Sequence, residues 1–337
     1  MSEQPVAIHV NRDSFAGRWV AWCEAHHLPW VAVDGLAPDI IQQLRGARAF
    51  LWHFSYGRPE DLLLAPAVLR AAESMGIPVF PNHNTHWTFD NKVSQKYALE
   101  AKGLPLVPTW VFTNRDQARA WAATCPLPLV TKLKRGSGAK NVRLLRTRDE
   151  VVQEINIAFG RGRRASGSPL NELHVVRKHR KIGDLPSFLR SLPERVERRR
   201  RLDRAMGREQ GYVYFQAFVP GNTHDTRVNI IGRRAFAFTR GNRPGDFRAS
   251  GSGELRYTDV PRKFIDVGYR VASALQTQSL AIDFLEGADG QPLIGEISYG
   301  YLASAVYDAP GHWEGDTWVP GHLAPEDAII GDLLGLS

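Results

Sequence analysis

The stretch that decides the fold is "LAIDFLEGADGQPLIGEIS", Leu280–Ser298. Two apolar runs flank Asp289-Gly290, a dipeptide that favours a two-residue hairpin turn. A hairpin closed at that pair sets Asp283 opposite Glu296. Side chains alternate along a strand, so Ser298 lies on the same face. Opposed Cβ atoms stand roughly 5 Å apart, and like charges there destabilise a sheet. A cation removes the conflict. Two carboxylates with oxygen neighbours suit Mg²⁺, which takes few protein ligands and completes its shell with phosphate oxygens. Two solvated carboxylates on an exposed sheet face fit the same pattern, and both readings stand at this point.

Just upstream, "DTRVNIIGRRAFAFTR" (Asp225–Arg240) invites the same treatment, with Gly232-Arg233 as its turn. Asp225 then faces Arg240, and Arg227 faces Phe238. One face carries Asp225, Arg227, Asn229, Phe236, Phe238 and Arg240; the other carries Thr226, Val228, Ile230, Ala235, Ala237 and Thr239. The second is a core face. The first has the charge and aromaticity of a nucleotide or anionic-substrate site, or of a surface with one ion pair. Between the hairpins, "FIDVGYRVASAL" is an amphipathic helix with Phe264, Val267, Val271 and Leu275 on one stripe.

Further upstream, "PLVTKLKRGSGAKNVRLL" (Pro128–Leu145) reads as two strands around a basic, glycine-punctuated loop. Lys132 shares a face with Val130, and a charge there needs an anionic partner. Gly136-Ser137-Gly138 can wrap backbone N–H groups around phosphate oxygens. It is not a Walker loop, and Asn141 stands where the dinucleotide fingerprint needs its third glycine. "TRDE" at Thr147–Glu150 has capping-box spacing and starts a helix. Before this module, "NKVSQKYALEAKG" is a helix with Val93, Tyr97, Ala98 and Ala101 on one face, ended by Gly103 and Pro105. Lys92 lies near its start, where a phosphate can sit. Either lysine alone also fits a snorkelling surface residue. From Pro5 to Trp87, "VAIHV", "PWVAV", "ARAFLW" and "IPVFPN" alternate with the helical patterns "AGRWVAWCEAHHL" and "APAVLRAAESMG", which argues for a small parallel α/β domain.

The 337 residues, 43% hydrophobic, can bury a sizeable core. No apolar run is long enough to cross a membrane, and "MSEQPVAIHV" lacks the pattern of a secretory signal. Cys23 and Cys125 form no metal-type spacing and read as reduced thiols of a cytoplasmic protein. The 11 histidines are scattered and no nucleophilic triad can be built. The net charge of +8 is unevenly placed: Arg161–Arg208 holds 15 Lys+Arg against 5 Asp+Glu, while Tyr299 onward holds 6 acids and no Lys or Arg. A high pI alone suggests nucleic acid. Here the charge belongs to one insertion-like segment, which weakens that inference; any nucleic-acid contact would run through Arg161–Arg208. The arginine run reads as a solvated helix near an acidic surface, for which the acidic tail is one candidate.

In order, the pieces are a lysine at a helix start, a strand lysine, a glycine loop, "YFQAFVPG", an Asp-x-Arg hairpin, "FTRGNRPGDFRASGSG" and Asp…Glu-x-Ser. This order resembles the ATP-grasp superfamily, and within it the ligases that add amino acids to peptide or protein carboxyl ends. The likeness runs from Asn91 to Ser298. It implies an α/β (α+β) chain in three parts. These are an N-terminal parallel α/β domain (1–90), a small strand-loop-strand-helix lid module (91–210, basic insertion 160–210) and a largely antiparallel C-terminal domain (211–337).

The resemblance also implies residue roles. Lys92 and Lys132 would contact ATP, and the loop around Arg135, Gly136, Ser137 and Gly138 would fold over its phosphates. Gln216, Ala217 and Phe218 would hold adenine, and Asp225 would lie near the ribose. Arg227 and Arg240 would hold phosphate or the substrate carboxylate, with Arg248 a lesser candidate. Asp283, Glu296 and Ser298 would carry one or two Mg²⁺ ions, or Mn²⁺ in their place. Three departures stand out. Ser298 replaces the family's usual asparagine, Ala217 replaces a common acidic hinge residue, and the arginine-rich insertion is extra.

The implied activity is an ADP-forming carboxylate–amine ligase working through an acyl phosphate. A phosphotransferase, or an ATP- or nucleic-acid-binding protein without catalysis, are the alternatives. The partners would be a small-molecule or peptide carboxylate and an amine, with homo-oligomers common in the family. The aromatic, acidic tail, with Tyr301 and Trp313, is expected to line the acceptor site.

Overall fold

Val6, Ala7 and Ile8 are wholly buried, as expected of a central strand in a sheet covered on both faces. The computed structural model describes residues 4–11, 14–55, 58–136, 141–164, 196–197, 200–201, 203–204, 207–243, 245–249 and 254–336. Ser137 and Gly138 of the glycine loop, and most of the basic segment, lie outside the described residues.

The elements run β1 (Val6–His9), α1 (Ala16–Ala25), β2 (Trp30–Val33), α2 (Ile40–Gln43), β3 (Ala49–Leu51), α3 (Pro59–Ser74), β4 (Val79–Phe80), α4 (His83–His86) and α5 (Lys92–Ala101). Then come β5 (Thr109–Phe112), α6 (Arg115–Ala122), β6 (Leu129–Lys132), β7 (Arg143–Leu145), α7 (Arg148–Phe159), β8 (Arg163–Arg164), β9 (Arg208–Glu209) and β10 (Val213–Ala217). The chain ends with β11 (His224–Ile231), β12 (Arg234–Gly241), β13 (Leu255–Arg256), α8 (Arg262–Leu275), β14 (Ser279–Glu286), β15 (Pro292–Ser298), α9 (Ala303–Tyr307), β16 (Gly311–Glu314), β17 (Thr317–Pro320) and α10 (Pro325–Leu334).

By internal contacts the chain forms two compact units. The first runs to Ser55, takes in Glu60–Val107 and returns at Val219; the second is centred on Pro108–Phe218. These cuts differ from the segments 1–90, 91–210 and 211–337, since α5 counts with the first unit.

The first unit holds two sheets. One is parallel, in the order β2-β1-β3-β4. The other is antiparallel, in the order β15-β14-β11-β12-β16-β17, with β13 on β12. Its apolar face packs on α8. Val228, Ile230, Ala235, Ile282 and Phe284 meet Phe264, Val271 and Leu275, the stripe read from the sequence, and Val267 joins at the margin. Gly268 allows the approach, because a Cβ there would come within 3.0 Å of the Val228 side chain.

The second unit holds the antiparallel sheet β5-β10-β6-β7. A core of Ala118, Leu129, Leu145, Val151, Ile155 and Phe215 joins it to α6 and α7. The Thr147 hydroxyl accepts from Glu150 N–H (3.2 Å), and the Glu150 carboxylate accepts from Thr147 N–H (3.1 Å). This is the full capping box at the start of α7.

One expectation needs correction, and the tail takes a definite form. The buried face of α5 is Lys92, Gln95, Lys96, Ala98 and Leu99, while Tyr97 and Ala101 are exposed, so the apolar stripe misplaced this helix. The tail after Tyr299 forms a hairpin, β16–β17, that extends the large sheet through β12. Four of its six acids pair with arginines of the first unit: Asp327 with Arg18, Asp332 with Arg234, Glu314 with Arg233 and Asp316 with Arg262.

Candidate active site

Register builds the site. In the β11–β12 hairpin Ile231 pairs with Arg234, leaving Gly232-Arg233 as a two-residue loop, and Asp225 faces Arg240 as the turn predicts. In the β14–β15 hairpin Asp283 does face Glu296 and Ala281 faces Ser298, but by a different route. The loop is Ala288, Asp289 and Gly290 inside a Gly287 N–H to Gln291 carbonyl bond of 2.9 Å, with Gly290 at φ +74°. That is a three-residue loop with a glycine bulge, which shifts the register by one. An irregularity between Asp283 and Phe284, where Gly295 is passed over, shifts it back. The two slips cancel, so the acids meet.

Arg227 of β11 lies opposite Asp283 of β14, which in turn lies opposite Glu296 of β15. Arg227 grips Asp283 with two bonds, Nε to Oδ1 at 2.6 Å and Nη2 to Oδ2 at 2.9 Å. Arg240 Nη2 stands 2.8 Å from Asp283 Oδ2, while its Nε donates to Asp225 Oδ1 at 2.7 Å. Lys92, the first residue of α5, places Nζ 3.0 Å from Glu296 Oε1. Its side chain is only 5% exposed. Three carboxylates thus meet three cations on one sheet face.

Burial pushes the Asp283 carboxyl up, but Arg227 and Arg240 outweigh it and hold the group well below the usual carboxylate range. Burial also pushes Asp225 up, helped by the negative Asp283 and opposed by Arg240. Burial alone would lower the Arg240 guanidinium, yet Asp283 and Asp225 raise it.

Asp283 and Glu296 suit Mg²⁺ shared with phosphate oxygens, since that ion takes one or two carboxylates. Among the described residues no group of three or more His, Cys, Asp or Glu forms a cage. Ser298 is committed elsewhere: its hydroxyl donates to the Gly300 carbonyl (3.0 Å) and accepts from Gly300 N–H (3.1 Å).

The other expected residues take separate places. Arg248 is gripped by Asp246, two positions away. Tyr301 donates to or accepts from the Ser279 hydroxyl (2.7 Å), and Ser279 alternates onto the Asp283 face. Trp313 faces Ala235 in register and packs on the opposite, apolar side with Arg262 over its ring, so it does not line the charged face.

In the second unit, Lys132 ends β6 opposite Tyr214. Arg135 Nε is 3.9 Å from Glu209. The backbone beside it is fixed by Lys134 N–H to the Tyr212 hydroxyl (2.6 Å), which in turn donates to Glu209. Gln216 is buried and donates to the Thr109 hydroxyl (3.2 Å). The N–H groups of Ala217 and Phe218 bond the carbonyls of Pro108 (2.8 Å) and Pro128 (3.3 Å), so neither is open to a base.

Sequence reasoning missed Gln95. Its amide accepts from Ile297 N–H (3.4 Å) and donates to the Thr88 carbonyl (3.1 Å), clamping β15 to α5. Its position one turn after Lys92, on the same helix face, was the available signal.

No family model matches the chain, and no curated protein matches it. Solved structures do. A RimK-domain ATP-grasp protein from Sphaerobacter thermophilus is 16% identical over 98% of this chain and 99% of its own, with a TM-score of 0.55. The D-alanine–D-alanine ligase of Bacillus anthracis, solved with ATP, is 15% identical over 100% of this chain and 98% of its own, at 0.56. The ATP-grasp ligase PsnB, solved with a minimal precursor, Mg and ADP, is 14% identical over 99% of each chain, at 0.56. With both of its units matched end to end by such structures, the chain has the ATP-grasp fold.

Proposed function

We propose that the protein is an ATP-dependent carboxylate–amine ligase. It activates a carboxylate as an acyl phosphate, joins it to an amine, and releases ADP and phosphate. One observation carries the reading. On an ATP-grasp fold, a single sheet face sets Asp283 against Glu296 and ranges Arg227, Arg240 and Lys92 beside them.

Asp283 and Glu296 would hold Mg²⁺, which neutralises phosphate charge when bound; Ser298 is at most an outer partner. Arg227 and Arg240 orient the transferring phosphoryl group and the acceptor carboxylate and balance charge as it develops. Lys92 meets phosphate at the start of α5. Lys132, Arg135 and the Gly136–Gly138 loop are the further phosphate candidates, and Gln216, Ala217 and Phe218 the adenine candidates, through side-chain or carbonyl atoms since the last two N–H groups are engaged. Asp225 fixes Arg240 and lies near the ribose. The acceptor is an amino-acid-like or peptide carboxylate.

The test is an ADP-release screen over carboxylate and amine pairs with Mg²⁺. ADP that appears only with both substrates, with an amide product by mass and no signal from Glu296→Ala, supports the reading. Turnover with hydroxyl acceptors alone would convert it to a phosphotransferase.

A further inference from the structure

Asp283 and Glu296 are already occupied by this chain's own cations. Arg227 gives Asp283 two N–H donors and Arg240 a third, and Lys92 covers Glu296. With Asp225, the cluster holds three acids and three bases, so it is formally neutral. A free divalent ion approaching it meets no excess negative charge. The second oxygen of Glu296 is open, but to bridge both carboxylates the ion must displace a guanidinium from Asp283. The evicted group is poorly hydrated where it stands, since the Arg227, Arg240 and Lys92 side chains are 19%, 9% and 5% exposed. A charge left there without its partner carries a heavy penalty. A polyphosphate changes the balance, because its oxygens accept charge-assisted bonds from arginine and lysine.

We propose that Arg227 and Lys92 guard the two carboxylates, so that the site takes a divalent ion only together with a nucleoside polyphosphate. The carboxylates pass to the ion as the guarding cations pass to phosphate. This rests on the nucleotide-binding reading above. All of the groups involved lie within one compact unit.

The experiment titrates Mn²⁺ into the full-length protein, following free ion by electron paramagnetic resonance, with and without saturating ADP, and subtracts the Mn²⁺ that ADP alone binds in a matched protein-free titration. Wild type should bind Mn²⁺ weakly alone and at least about tenfold more tightly with ADP. Arg227→Gln removes the fork from Asp283, so Mn²⁺ alone should bind about tenfold more tightly than in wild type. Arg227→Lys, which keeps charge without the fork, should fall between. Adding Asp283→Asn to Arg227→Gln should erase the gain. Circular dichroism checks folding, and Arg227→Lys carries the test if Arg227→Gln unfolds.

The proposal is overturned if wild type binds Mn²⁺ equally well with and without ADP. It is also overturned if ADP binds in a Mn²⁺-dependent way but neither Arg227 variant alters affinity for Mn²⁺ alone. Failure of wild type to bind ADP at any Mn²⁺ concentration would instead remove the nucleotide reading beneath it.

Discussion

The two faces of the sheet β15-β14-β11-β12 are made by the same strands, residue by alternate residue, yet they do opposite work. Val228, Ile230, Ile282 and Phe284 are wholly or almost wholly buried against α8 and stabilise the unit by removing apolar surface from water. Asp225, Arg227, Arg240, Asp283 and Glu296 lie on the other face and, with Lys92 of α5, form a neutral network of ion pairs. Such a network contributes little net stability, because desolvation offsets attraction, but it is hard to break from one side. The difference teaches where to look for function. Alternation turns one face away from α8, and charge has accumulated there beside the buried Phe236 and Phe238.

The largest expected effect lies on the apolar face. Phe284→Ala empties a wholly buried site that touches Phe264, and should lower stability by about 3–5 kcal/mol in urea unfolding. ADP formation per folded molecule should be unchanged. A selective loss of turnover at full stability would break the division between the faces. The mirror experiment is Glu296→Ala. It removes the Glu296 carboxylate from the buried Lys92. Because Glu296 is itself 31% exposed, the stability loss should be only about 1–2 kcal/mol, with turnover abolished.

Acidification sharpens the same contrast. Asp283 has a depressed folded-state value against about 3.9 in the unfolded chain. Its contribution is therefore present above pH about 4 and lost as pH falls toward the depressed value. Asp225 is raised, so its sign is reversed: protonation relieves the folded state, and acid partly offsets the loss at Asp283. Wild type should lose stability between pH about 5 and 3, and Asp283→Asn should lose less over that window. Equal slopes in the two proteins would show that the arginines do not hold Asp283 ionised.

Much of this was legible in the sequence, though not always for the reason given. Turn dipeptides set Asp225 against Arg240 and Asp283 against Glu296, and the α8 stripe marked the core face. The β14–β15 register was right only because the loop's extra residue and the irregularity at Gly295 cancel. No single-sequence rule weighs two such slips together. The helix α5 was misjudged because hydrophobic periodicity finds faces that pack on apolar surface. Here Lys92 and Gln95 are buried by polar partners on β15, distant in sequence. The hairpin β16–β17 had a visible signal, the two-residue Gly315-Asp316 turn, within a segment rich in acids and aromatic rings.

The smallest predicted effects separate Tyr301 from Trp313. Both belong to the aromatic tail, but register sends Trp313 to the apolar face while a hydroxyl bond ties Tyr301 to Ser279. Tyr301→Phe removes one hydroxyl bonded to Ser279 beside the charged face. It should lower stability by about 1 kcal/mol and raise the KM for whichever acceptor the ADP screen identifies, leaving the KM for ATP unchanged. Trp313→Phe thins the packing against Trp318 and Arg262 on the apolar side. It should lower the unfolding midpoint by a similar amount and leave both KM values alone. If Trp313→Phe shifted the acceptor KM while Tyr301→Phe did not, the assignment of chemistry to one face and packing to the other would be reversed at this end of the sheet.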